Sequence, residues 1–73
     1  MTVWVLTWRP VRVACVLAVA TTPEACMVVA QHRTKGPRLS WVRAEFDGHV
    51  WYMIPDDPDP NGFEIAEYEV IGS

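Results

Sequence analysis

Three oxygen-bearing side chains at alternate positions form the most specific chemical pattern in the sequence. Asp57, Asp59 and Asn61 precede Gly62 in the stretch DPDPNG, which matches the opening of a calcium loop, D-x-[DN]-x-[DN]-G. Such a loop holds the hard cation with alternating oxygen ligands and completes the site with a bidentate glutamate. Tyr68 occupies the glutamate position here. A stiff acidic connector is therefore the favoured interpretation, and a calcium-binding module is kept as an alternative function.

The sulfur and imidazole side chains do not form a metal or catalytic pattern. Cys15, Cys26, His32 and His49 lack the short spacings that zinc sites use. Cys26 falls in the first turn of a predicted helix, where the helix dipole could lower a thiol pKa, but no cysteine–histidine–acid arrangement can be read around it. We therefore predict no catalytic residues, no cofactor and no enzymatic activity. Both cysteines are expected to be buried, free thiols.

Charge is distributed unevenly along the 73 residues. Residues 1–43 carry six basic side chains and one acid, a balance of +5, whereas residues 44–73 carry eight acids and no base, a balance of −8. One interpretation is that the two halves compensate each other within one sheet. The other is an acidic surface that steers a basic protein partner. The predicted partner-binding residues are Asp56, Asp57, Asp59, Glu64, Glu67 and Glu69.

The acidic balance and the short apolar segments limit the classes of partner. A pI of about 5.1 disfavours nucleic acid. The apolar run Val13–Ala20 follows two arginines and imitates a secretory signal, but it is too short to cross a bilayer. We interpret it as a buried strand, and we expect a cytoplasmic protein that does not bind membranes.

The first half of the chain predicts two strands and a helix. Residues 3–8 alternate, with Trp4, Leu6 and Trp8 on one face. Residues 11–20 are apolar on both faces, as in a central strand covered on both sides. The alanines on one face are small, so a helix could pack close to the sheet there. Thr21 or Thr22 caps a helix over residues 22–35, and Thr21 with Glu24 matches a capping box.

The predicted helix presents an apolar stripe to the core. That stripe combines Ala25, Val28, Val29 and His32, with Cys26 and Ala30 beside it. His32 is interpreted as a satisfied core histidine. Arg33 and Lys35 place positive charge at the C-terminal end of the helix, where the helix dipole is negative. Gly36-Pro37 is expected to end the helix.

The second half predicts a hairpin and a final strand. Asp47-Gly48 is a strong hairpin turn signal between residues 39–46 and 49–54. The resulting register places six residues on one face, which we assign to the core: Val42, Ala44, Phe46, His49, Trp51 and Met53. Residues 63–71 form the last strand, with a bulge expected near Ala66 because its apolar alternation changes phase there.

These elements predict an α+β fold with the order β-β-α-β-β-β. One domain, residues 1–73, would hold an antiparallel sheet of about five strands with one helix packed on a face.

The segments VWVLTW, ATTPEAC and GFEIAEYEV together resemble small proteins of actinobacteria and their phages. Those proteins combine a VYVLT-like first strand, a strand–helix junction with a threonine and a glutamate, and an IEEFEL-like last strand. This chain departs from them where Met27-Val28-Val29 replaces a charged, alanine-rich helix face. The resemblance implies the same fold and a phage or accessory origin, and it implies no active site.

The functional hypothesis is a small non-enzymatic protein-interaction module that presents its acidic half to a partner, in the manner of a phage accessory or inhibitor protein. A structural, self-associating protein is a further alternative, because four tryptophans in so small a chain could serve a homo-oligomer.

Overall fold

Five strands form one antiparallel sheet that carries a helix on one face in the computed structural model, which describes residues 1–9, 15–34, 36–54 and 62–71. The elements are β1 (Thr2–Arg9), β2 (Cys15–Ala20), α1 (Pro23–Arg33), β3 (Val42–Phe46), β4 (His49–Met53) and β5 (Gly62–Glu69). The strand order across the sheet is β2-β1-β5-β4-β3, and all neighbours run antiparallel. The α+β class and the order β-β-α-β-β-β are confirmed.

The first and last strands pair at the centre of the sheet. Their register runs without interruption from Thr2 opposite Glu69 to Arg9 opposite Gly62. The predicted bulge near Ala66 is therefore wrong. Along β5, the apolar residues lie first on the helix side and then on the opposite side of the sheet. The backbone alternation continues through this change without an extra residue.

The irregularity in the sheet lies instead between β1 and β2. Leu6 pairs with Ala18, but the next residue, Thr7, pairs with Val16, so Leu17 is the extra residue of a bulge. β2 is also an edge strand, which corrects the prediction of a central strand covered on both sides.

The hairpin follows the local rules of its turn. Asp47 and Gly48 have φ angles of 51° and 78°, as a two-residue hairpin turn with two left-handed residues requires. The predicted pairing of Phe46 with His49 and of Ala44 with Trp51 is confirmed.

The helix begins and ends slightly inside the predicted range. Thr22 is the N-cap, and its Oγ1 accepts a hydrogen bond from the Ala25 backbone N–H at 3.3 Å. The predicted capping box of Thr21 with Glu24 is therefore wrong, because the residue three positions after the N-cap is Ala25. At the other end, the Thr34 N–H donates to the Ala30 carbonyl at 3.1 Å.

The core lies between α1 and the central strands. Its fully buried members are Leu6 and Ile65 from the sheet and Cys26 and Ala30 from the helix. Cys26 and Ala30 are four residues apart, so they share one helix face, and their small size lets the helix axis approach the sheet. The predicted stripe is wrong at Val28, which is 57% exposed on the outer side of the helix, and at Ala25, which is also exposed. It is confirmed at Val29, which packs against the core cluster.

His32 is also exposed, so the prediction of a core histidine is wrong. The alanines of β2 behave as predicted, since Ala18 and Ala20 pack against the core cluster beneath α1.

Candidate functional site

The sheet face opposite the helix is the most distinctive surface of the described chain. Side chains alternate between the two faces of a strand, and directly paired residues share a face. Leu6 and Ile65 point toward α1, so their sequence neighbours point away from it. We call this second surface the open face, and it consists of Val16 and Val19 (β2), Val3, Val5 and Thr7 (β1), Glu64, Ala66 and Tyr68 (β5), His49, Trp51 and Met53 (β4), and Val42, Ala44 and Phe46 (β3).

The six hairpin residues assigned to the core lie on the open face, so that assignment is wrong. Phe46 is 72% exposed. The hairpin contributes Tyr52 to the core side instead, where its ring lies 5.8 Å from the ring of Trp4. The two residues on either side of Tyr52, Trp51 and Met53, consequently point away from the helix.

A continuous apolar row crosses the open face at its middle. The register links Val19 to Val5, Val5 to Ala66, Ala66 to Trp51, and Trp51 to Ala44, so all five strands contribute one apolar side chain. Ala66 at the centre is 4% exposed because its larger neighbours in the row cover it. The row shows that the apolar character is not confined to one strand.

Large apolar side chains of the open face remain exposed, both in that row and around it. They are Val16, Val19, Val42, Phe46, Met53 and Tyr68. Soluble monomers rarely leave a large contiguous apolar patch uncovered unless the patch binds something.

The β3–β4 side of the open face holds a shallow depression and an unpartnered donor. The depression has a volume of about 350 Å³. The Trp51 indole Nε1 is buried and meets no hydrogen-bond acceptor among the described residues. The lining residues of the depression are Ala44, Glu45, Phe46, Trp51, Met53 and Glu64.

The predicted acidic contact residues do not share one face. Glu64 belongs to the open face and is half-buried, whereas Glu67 and Glu69 alternate onto the helix side. Glu69 accepts hydrogen bonds from the Met1 amino group at 3.5 Å and from Thr2 Oγ1 at 3.3 Å. The three acids of β5 are therefore divided between two sides of the sheet.

The remaining predicted site residues, Asp56, Asp57, Asp59 and Asn61, lie outside the described residues. Calcium binding through Asp57, Asp59 and Asn61 stays a prediction. Within residues 1–9, 15–34, 36–54 and 62–71, no group of three or more histidine, cysteine, aspartate or glutamate side chains is arranged to hold a metal ion.

The two cysteines have different environments. Cys26 is fully buried, and its Sγ donates a hydrogen bond to the Trp4 carbonyl at 3.4 Å. Burial raises the pKa of the Cys26 thiol, partly offset by a backbone hydrogen bond at Leu6. The pKa is thus shifted in the direction opposite to the one that would activate this thiol. Cys15 is exposed, which corrects its predicted burial, and both thiols are free.

The open face could have been anticipated from one signal in the sequence. The strands supply apolar residues for both sides of a sheet, but the chain between them predicts a single helix, which covers one side.

None of the helices in the described part of the chain has the length and apolar character needed to cross a membrane.

Comparison with known proteins gives no relative. No protein-family model, no curated protein and no solved structure matches this chain. The resemblance to actinobacterial and phage proteins therefore stays a prediction.

Proposed function

We propose that this chain is a small non-enzymatic protein-interaction module that binds its partner through the open face of the sheet. The observation that supports the proposal is the apolar row from Val19 to Ala44, surrounded by exposed large apolar side chains. Covering such a surface removes apolar area from water, which is the dominant favourable term in most protein association.

The composition of the open face suits a partner that is itself apolar. Among its described residues, the side chains that can carry charge near neutral pH are His49 and Glu64, and both lie toward its ends rather than in the central row. An interface core depleted of charge and containing aromatic residues is the arrangement found at protein–protein contacts. Phe46, Trp51 and Tyr68 supply the aromatic anchors.

The acidic residues take a secondary part in this proposal. Glu67 and Glu69 lie on the helix side, where they can attract a basic partner over distance without entering the apolar contact. Neutralising them should slow association and reduce its salt dependence, and it should leave the lifetime of the complex nearly unchanged.

The experiment compares capture of host proteins by the wild-type chain and by two variants. The double variant Phe46→Ser with Met53→Ser makes the open face polar at exposed positions, so the fold should be kept. Val28→Ser on the outer side of α1 is the matched control, because Val28 is also an exposed apolar residue, at 57%. Circular dichroism and a urea melt check that each variant is folded.

The expected result is a set of proteins captured by the wild type and the control and lost with the open-face variant. The proposal is wrong if the open-face variant captures the same proteins, or if replacing Glu67 and Glu69 with glutamine abolishes capture while the open-face variant does not.

A further inference from the structure

We propose that the open face is covered by a second copy of this chain, turned about a two-fold axis that lies between the two sheets and runs along β5. This inference rests on the proposed function, because it names the partner of the same surface. It is carried by the size of the open face, by the distribution of large and small side chains on it, and by the absence of charge from its central row.

The area of the open face suits a small dimer interface. Strands lie about 4.8 Å apart and each residue advances about 3.3 Å, so five strands of this length cover roughly 24 Å by roughly 20 Å. Two such faces in contact would bury on the order of 1,000 Å², which is near the lower limit for a specific interface. We therefore expect a reversible dimer with a micromolar or weaker dissociation constant.

The two halves of the open face differ in side-chain size. β3 and β4 present the bulky residues Phe46, Trp51 and Met53, whereas β1 and β2 present valines along most of their length. β5 lies between the halves, with the small residue Ala66 at its middle.

A two-fold axis along β5 would bring the bulky half of one copy over the valine half of the other, on both sides of the axis. Sheets that pack face to face keep their strands aligned to within about 30°, so residues at the same height on β3 and on the partner copy's β2 come together. According to the register, Trp51 lies at the same level along the strands as Val5, and Val42 lies at the same level as Val16. Each of these pairs would therefore meet between the two copies.

Charge does not oppose this arrangement at its centre. The central row contains apolar residues alone. Glu64 lies one row away on β5, so the axis brings it near the same residue of the other copy, and the cost of this approach is kept small because that row lies toward the solvent-exposed rim. In contrast, α1 carries the charged residues Glu24 and Arg33, and Arg43 of β3 alternates onto the helix side of the sheet because it pairs with Tyr52. The dimer would then have apolar sheets inside and charged helices outside.

Sedimentation equilibrium of the full chain tests whether the dimer forms. We expect the mean mass to rise from 8.3 kDa toward twice that value as the concentration increases, over the range from about 1 µM to about 1 mM. Val28→Ser is the control that should associate like the wild type.

Two charged variants test which surfaces meet. Val16→Lys and Val42→Glu each place a charge at an exposed position of the open face, on opposite edge strands. Each variant alone should weaken dimerisation about tenfold, because its homodimer places two unpaired charges, one from each copy, against valines of the other copy. An equal mixture of the two variants should recover dimers. In the heterodimer, the new lysine of one copy lies opposite the new glutamate of the other copy, and on the other side of the axis the two unchanged valines still meet.

Three results would overturn the inference. The wild type stays monomeric at about 1 mM, each single variant dimerises as strongly as the wild type, or the mixture associates no better than its components. If the wild type is monomeric while the Phe46→Ser with Met53→Ser variant still loses a captured protein, the second copy is excluded and the proposed function stands. If both experiments fail, both proposals are wrong.

Discussion

Shortening Leu6 should destabilise the fold by a predictable amount. Leu6 is fully buried and belongs to the cluster formed with Cys26, Ala30 and Ile65. Leu6→Ala removes buried methyl groups and leaves a cavity, at a cost of about 3 kcal/mol in the free energy of unfolding. A domain of this length has a total stability of about 4–11 kcal/mol, so the variant should lose a large share of it.

The buried thiol of Cys26 offers a direct assay of this loss. Its Sγ is inaccessible in the folded chain, so an alkylating reagent must wait for an opening of the core. In a Cys15→Ser background, Cys26 is the reacting group. A loss of about 3 kcal/mol should speed its alkylation about 100-fold when opening and closing are faster than the reagent. Urea denaturation measures the same loss independently.

Val28→Ala is the matched control for Leu6→Ala. Val28 is 57% exposed on the helix, so its truncation should change stability by less than about 0.5 kcal/mol. The account of the core would be refuted if Leu6→Ala cost no more than the control, or if Cys26 of the otherwise wild-type chain reacted as fast as a free thiol.

Three further expectations concern the helix cap, the hairpin turn and high pH. Thr22→Ala should lower the free energy of unfolding by about 1 kcal/mol in a urea titration, whereas Thr21→Ala should have little effect, because Thr22 holds the cap hydrogen bond. Gly48→Ala should cost about 1–2 kcal/mol since φ is +78° there, whereas Gly36→Ala should be tolerated because the added Cβ would meet one side-chain atom at 3.9 Å. Burial raises the pKa of the Cys26 thiol in the folded chain, so its contribution to stability is complete below about pH 9 and is lost as the pH rises through the folded-state pKa. Urea titrations across this range should therefore show a steeper fall for the wild type than for Cys26→Ala, and equal slopes would contradict this assignment.

Local sequence signals predicted the parts of the fold that depend on neighbours along the chain. Asp47 and Gly48 fix the hairpin register because two left-handed residues set the turn. The alternation of residues along β1 correctly places Leu6 and Val5 on opposite faces of the sheet, because a pleated strand has a period of two. Neither inference requires knowledge of a distant residue.

The parts that failed depend on contacts between distant elements. The hairpin could place its bulky residues on either side of the sheet, and the choice was made by the pairing of Trp51 with Ala66 on β5. Helical spacing alone puts Val28 on the predicted stripe, because the period of a helix does not show which side of it meets the sheet. At the closest contact between helix and sheet, space favours Cys26 and Ala30 over Val28.

The candidate site could be predicted in composition but not in position. The sequence shows that the hairpin residues share an apolar face, and it shows an excess of acids in the second half. It does not show that Glu64 and Glu67 are separated by the sheet, because that follows from the register of β5 against β1. A short acidic segment along a strand divides its charges between two environments.

The central position of β5 makes the fold depend on a late event in folding. β1 with β2 and β3 with β4 are two hairpins that can form locally, but in the described sheet they are joined through β5, which pairs with both β1 and β4. Ile65 of the core also arrives with this strand. During synthesis, β5 must therefore leave the ribosome before the sheet can close. Until then the nascent protein consists of two separate hairpins with exposed edges, and rapid folding depends on how quickly β5 inserts between them.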